Sequence, residues 1–121
     1  MPHNFDKLAI YQRSLSLAQS IVVCFKDFRP SCLAEQIISS AVSIPSNISE
    51  GAERSSDKEF RRFIDYASGS AAELYSQLQI VHAMDCSGPF LLKIEELIIE
   101  CRALRSMIRG FRLRISHDPK D

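Results

Sequence analysis

The 121-residue sequence has no tryptophan, only 4 glycines, and no Cys-x-x-Cys pair among its 4 cysteines. The few glycines form no phosphate-cradling loop, and no nucleophile–base arrangement is supported. Cys24, Cys32, Cys86 and Cys101 are scattered and read as reduced, partly buried thiols. No apolar run is long enough to span a bilayer, since charge interrupts "FLLKIEELII". The opening "MPHNFDKL" lacks the basic-then-apolar pattern of a secretory signal, so a cytoplasmic location is expected, with no membrane partner. Asn47-Ile48-Ser49 is then a glycosylation sequon in form alone. His82 and Cys86, four residues apart, lack the second pair of a metal site, and His3 stands isolated. No metal or cofactor is expected.

The formal net charge is zero, which excludes a strongly basic nucleic-acid binder, but the charge is uneven. Residues 1–100 hold 9 basic and 13 acidic residues, and residues 101–121 hold 6 and 2. At 45% hydrophobic and 25% charged, the chain has the composition of one globular domain.

Four apolar stripes at helical spacing fill that domain, and strand-type alternation is absent. The first is Leu8, Tyr11, Leu15, Ala18, Val22 and Phe25, closed by Arg29-Pro30 because a residue before proline avoids helical geometry. The second is Ala34, Ile37, Ala41, Ile44 and Ile48, ending near Gly51. The third is Phe60, Ile64, Ala67, Ala71, Leu74, Leu78 and Val81, opened by the capping box Ser56-Asp57-Lys58-Glu59. The fourth, after Gly88-Pro89, is Ile94, Leu97, Cys101, Leu104, Ile108, Phe111 and Ile115. The chain therefore reads as an all-α, antiparallel up-down four-helix bundle, one domain over 1–121, with helices near 4–28, 32–52, 57–85 and 89–115 and a tail at 116–121.

There is more apolar surface than such a bundle needs. Helix 1 carries a second row of Ile10, Leu17, Ile21, Cys24 and Phe28, and helix 4 has Leu92, Ile99 and Leu113, with Leu91 and Ile98 alongside. At about 100° per residue the two helix 1 rows together wrap roughly half the circumference or more. Copies of the same chain would cover them most economically, so Ile10, Leu17, Ile21, Phe28, Leu92 and Ile99 are expected at a homo-oligomer interface. Gly69, with Ser68, Ala72 and Ser76, lies opposite the helix 3 stripe, where another backbone could approach.

Pro45 withdraws a donor inside helix 2 and is expected to bend it, with the serines at 39, 40, 43, 46 and 49 bonding nearby backbone groups. Glu50 and Arg54 are spaced for an i, i+4 ion pair.

The stretch "SIPSNISEGAERSSDKEFRRFIDYASGSAAEL" resembles the signature of the bacterial four-helix proteins encoded in intervening sequences of 23S ribosomal RNA genes. The matching residues are Ser43, Ile44, Pro45, Asn47, Ile48, Glu50 and Gly51, then Lys58, Glu59, Phe60 and Phe63, then Ala67, Gly69, Ser70, Glu73 and Leu74. Ser49 stands where alanine is usual. The resemblance implies a structural role for these residues and a ring-like homopentamer. A related branch is the accessory variability protein of diversity-generating retroelements, which implies binding of nucleic acid and a reverse transcriptase through basic surfaces.

Arg102, Arg105, Arg109 and Arg112 recur at 3-4-3 spacing, with Arg114 nearby. In an oligomer this row would form a basic band for RNA or a nucleic-acid-associated protein. The plain alternative is cations opposing a helix C-terminal dipole. The reading that follows is a non-enzymatic homo-oligomeric scaffold. The second reading is a small ribonuclease of the helical toxin type, in which Arg112 would hold phosphate and His117 would transfer protons.

Overall fold

The computed structural model describes residues 4–84 and 86–115, and contains four α-helices and no strand among them. A 3-10 turn at Phe5–Lys7 precedes α1 (Ala9–Phe25), followed by α2 (Ser31–Ala52), α3 (Asp57–Ala83) and α4 (Gly88–Ile115). Each helix packs on its neighbours in sequence, and α1 closes the ring against α4. No described helix is long and apolar enough to cross a membrane.

The third boundary shows how the sequence sets these elements. Ser56 has extended backbone, and its hydroxyl accepts the Glu59 amide at 3.1 Å, with Asp57 and Glu59 acidic in the first turn. Helix α4 begins at Gly88, whose φ of +62° only glycine adopts cheaply, with Pro89 next. Helix α1 is shorter than its periodicity suggests at both ends. Leu8 is extended, and Phe28, instead of prolonging the helix, stacks on Phe90 at 5.7 Å while Phe25 meets it edge-on at 5.1 Å.

The stripes of α2, α3 and α4 are buried as the spacing predicts, joined by Phe63 and Ile98. On α1 the two rows are mixed: Ala18 and Phe25 of the first row are buried as the spacing predicts, but its other members are not. Ile10, Leu17 and Ile21 lie in the chain's own core, whereas Leu15 and Val22 face outward. The reason is Ser14, which interrupts the true seam Ile10–Ser14–Leu17–Ile21–Phe25 and yet is fully buried. Its hydroxyl donates to the Tyr11 carbonyl at 2.9 Å, so burying it leaves no orphaned donor. Three residues expected at an interface, Ile10, Leu17 and Ile21, are therefore core residues. Phe28 is half-buried in the aromatic cluster at the end of the bundle.

Helix α2 runs unbroken across Pro45. Side chains supply local bonds around it: Ser46 donates to the Val42 carbonyl at 2.9 Å and Asn47 Nδ2 to the Ser43 carbonyl at 2.8 Å. Gly51 does not end the helix; it lies inside it, against α3. A Cβ on Gly69 would meet nothing within 4 Å, so among the described residues no other helix backbone approaches it.

The ion pairs are peripheral. Glu50–Arg54, Glu59–Arg62 and Arg13–Glu100, at 2.8, 2.9 and 3.2 Å, are all substantially exposed. Exposed pairs contribute about 0–1 kcal/mol each, against roughly 1.5–3 kcal/mol for a fully buried large aliphatic or aromatic side chain. Burial of the stripes holds the bundle together.

Candidate functional site

Two antiparallel contacts fix the register of α3 on α4. Asp65 accepts two hydrogen bonds from Arg112, at 3.0 and 3.2 Å, and ten residues along α3 the Tyr75 hydroxyl accepts one from Arg102 at 3.1 Å. By that register Arg105 and Arg109 fall between these contacts, level with the small residues Ala72 and Ser68 of α3. The Arg105 guanidinium lies 5.0 Å from the Tyr75 ring centre and that of Arg102 5.7 Å. The hydrogen bond from Arg102, then one from Gln79, holds the Tyr75 phenol below its ordinary pKa, because both donors favour the phenolate.

The structure thus brings Arg102, Arg105, Arg109 and Arg112 onto one outer edge of the bundle, but in unlike states. Arg112 is committed to Asp65, whose hydrogen bonding raises its already high pKa. Arg109 is exposed, with no ion pair among the described residues. Arg114 lies apart, over the Phe111 ring at 5.5 Å. Sequence reasoning missed Tyr75, which is 27 residues from its arginine partner. His117 lies outside the described residues, so Arg112 has no described histidine beside it.

Apolar surface is left uncovered elsewhere. On α4, Leu92 and Ile99 are 66% and 61% exposed. Between α1 and α2 runs an open apolar trough of about 640 Å³ lined by Tyr11, Leu15, Val22, Val23, Val42 and Pro45, in which Val23 is 71% exposed. The surplus predicted from the sequence is real. On α1, however, it is made by Leu15, Val22 and Val23 instead of Ile10, Leu17 and Ile21.

The motif residues form the α2–α3 seam. A Cβ on Gly51 would lie 2.6 Å from Phe63 Cβ and 2.9 Å from Phe60 Cδ1, so the glycine lets two helices meet around a bulky pair. Further along, the Ser43 and Ser70 hydroxyls share a short hydrogen bond, and Ser40 donates to Glu73 at 3.3 Å. Stepping three residues back along α2 moves the contact three residues on along α3, the mark of an antiparallel pair. Glu50 and Glu59 face outward to Arg54 and Arg62. His82 bonds Glu95 at 3.1 Å and has no metal partners; no group of three potential metal ligands occurs among the described residues.

None of the curated proteins compared with the chain matches it. Among solved structures, a protein of unknown function from the S23 ribosomal protein family of Bacteroides thetaiotaomicron is similar, with a TM-score of 0.75 at 20% identity. The match covers 86% of this chain and 98% of that one, and shows a shared fold. The family model for the 23S rRNA-intervening sequence protein matches residues 6–110. Spanning most of the chain and all of the α2–α3 motif, that match shows that the chain belongs to the 23S rRNA-intervening sequence protein family.

Proposed function

We propose that the protein is a non-catalytic homo-oligomeric scaffold that holds RNA phosphates along the α3–α4 edge. The observation that carries the assembly is the uncovered apolar surface, Leu92 and Ile99 on α4 and the Leu15–Val22–Val23–Val42 trough between α1 and α2. Two such surfaces suit a head-to-tail contact between copies, the kind that closes into rings. A pentamer is the ring that the family resemblance implies. Ile99→Glu or Val23→Glu should each release monomers in sedimentation experiments, because a charge placed in an apolar contact must be desolvated without a partner. An undiminished particle in both variants would remove the proposal.

The RNA part rests on Arg105 and Arg109, which lie level with small residues of α3, with Tyr75 and Arg102 at one end of the edge. Small side chains let a backbone come close, and the arginines offer donors to its phosphates. The use resembles that implied for the retroelement accessory proteins. The full-length protein should bind single-stranded RNA with an affinity that falls as salt rises, and Arg105→Glu with Arg109→Glu should abolish that binding. A wild type without salt-sensitive binding would end this part. The ribonuclease reading gains nothing from Arg112, which already holds the Asp65 carboxylate.

A further inference from the structure

A second cluster of aromatic and basic side chains lies near the start of α3, on the flank away from the arginine edge. The Phe63 ring is buried on the α2–α3 seam and carries two guanidiniums, Arg54 at 4.6 Å and Arg62 at 5.3 Å from its centre. Tyr66 shares that flank with Phe63 and Ser70, both of which touch α2. It meets Phe63 edge-on at 5.3 Å, Arg62 lies 5.8 Å from its ring centre, and Arg62 Nη1 donates to its hydroxyl at 3.5 Å. Tyr66 is nevertheless 48% exposed. The ring is held by its neighbours and open to solvent at once.

Tyr75 repeats the pairing with one difference. It is half-buried and has two guanidiniums over its ring, Arg105 at 5.0 Å and Arg102 at 5.7 Å, so little of that ring is left for a ligand. Tyr66 has one. Side chains on a helix lean toward its N-terminus, which lays Tyr66 toward Arg62 and turns its other face toward Gly69 and Ser70 on the next turn. A Cβ on Gly69 would meet nothing within 4 Å, so the approach to that face is clear.

The chemistry of the cluster narrows what fits there. Arg54 and Arg62 are paired with Glu50 and Glu59 at 2.8 and 2.9 Å, so the cluster offers a flat ring and almost no net charge. An apolar protein surface would gain only this one ring, because the exposed residues next to it on the helix, Arg62, Gly69 and Glu73, are polar or small. A planar group gains a full stacking contact. Arg105 and Arg109 lie along the other flank of the same helix, with the exposed small residues Gly69 and Ala72 between them and Tyr66.

We propose that Tyr66 is a base-stacking platform: a nucleobase packs on its ring while the phosphates of the same single strand follow the α3–α4 edge. The inference rests on the RNA reading above and narrows it to strands whose bases are free to leave a stack. It also divides the contacts in two. Those of the arginines weaken with salt, and that of Tyr66 does not.

The test is fluorescence anisotropy of the full-length protein with a labelled single-stranded oligoadenylate over a salt series, with circular dichroism confirming that each variant is folded. Tyr66→Ala should weaken binding at least about fivefold, the loss of one stacked base, with the salt slope unchanged. Tyr66→Phe keeps the ring and should bind like the wild type. A strand of the same length built of abasic spacers should bind the wild type and Tyr66→Ala alike. The inference is overturned if Tyr66→Ala binds oligoadenylate as tightly as the wild type, or if Tyr66→Phe loses as much as Tyr66→Ala. It is also overturned if native mass spectrometry gives Tyr66→Ala a lower particle mass than the wild type, because the ring would then be covered by another copy. A wild type without salt-sensitive binding removes the RNA reading and this inference with it. Wild-type binding that Tyr66→Ala leaves unchanged removes this inference alone.

Discussion

Gly51 of α2 sits so close to Phe63 of α3 that a Cβ on the glycine would lie 2.6 Å from the phenylalanine Cβ. Real Cβ atoms do not approach that near, so any other residue would push the helices apart. The Phe63 Cβ is attached directly to its backbone and cannot swing away. The adjacent Phe60 ring could yield only by disturbing its edge-on contact with Phe111 at 5.5 Å.

Gly51→Ala should therefore destabilise the fold. Overpacking costs about 1–3 kcal/mol, which outweighs the gain of about 1 kcal/mol that alanine brings to a helix interior. Gly110→Ala is the contrasting variant, since a Cβ there meets nothing within 4 Å and the residue is inside α4. It should stabilise by about 0.5–1 kcal/mol. Urea denaturation of both variants checks the opposite signs.

Ser56→Ala should cost about 1 kcal/mol, because the Glu59 amide loses its acceptor at the start of α3. Ser56→Asp should retain most of the stability, since a carboxylate accepts the same bond and opposes the helix dipole. Thermal melts of the two variants separate loss of the cap from loss of the serine itself.

Burial pushes the Cys101 thiol up from its ordinary 9.0 to about 11, and the thiol donates to the Ala71 carbonyl at 3.5 Å. The folded state therefore holds this proton more tightly than the unfolded chain. The resulting stability is complete below pH 9.0, and is lost as pH rises through about 11. At pH 8 the exposed Cys32 should alkylate first and Cys101 last, read by peptide mass spectrometry. Early modification of Cys101 in the folded protein would contradict its placement.

Asp65→Asn should strengthen salt-sensitive RNA binding, because it removes a negative charge from the arginine edge and weakens the hold on Arg112. One further phosphate contact to a single strand steepens the dependence of log affinity on log salt by about 0.7. Filter binding across a salt series reads both effects. Unchanged affinity and slope would mean that Arg112 lies outside the path of the RNA.

The helix count, the cap at Ser56 and three of the four buried faces were legible in the sequence, because each rests on spacing along one element. The exception on α1 has a local cause. A buried serine whose hydroxyl bonds its own helix looks, as a letter, like a surface residue, so Leu15 and Val22 read as core in place of Leu17 and Ile21. Gly51 read as a helix end because its real constraint comes from Phe60 and Phe63 on another helix. The arginine row was visible as a row, but the partners that divide it, Asp65 and Tyr75, depend on the register of α3 against α4.

The account depends most on the exposed Leu92, Ile99 and Val23 being covered by other copies of the chain, and native mass spectrometry of the wild-type protein at micromolar concentration addresses that directly. A single dominant species at an integer multiple of 13.7 kDa, five-fold if the ring is a pentamer, is the result predicted. A dominant 13.7 kDa particle would contradict it.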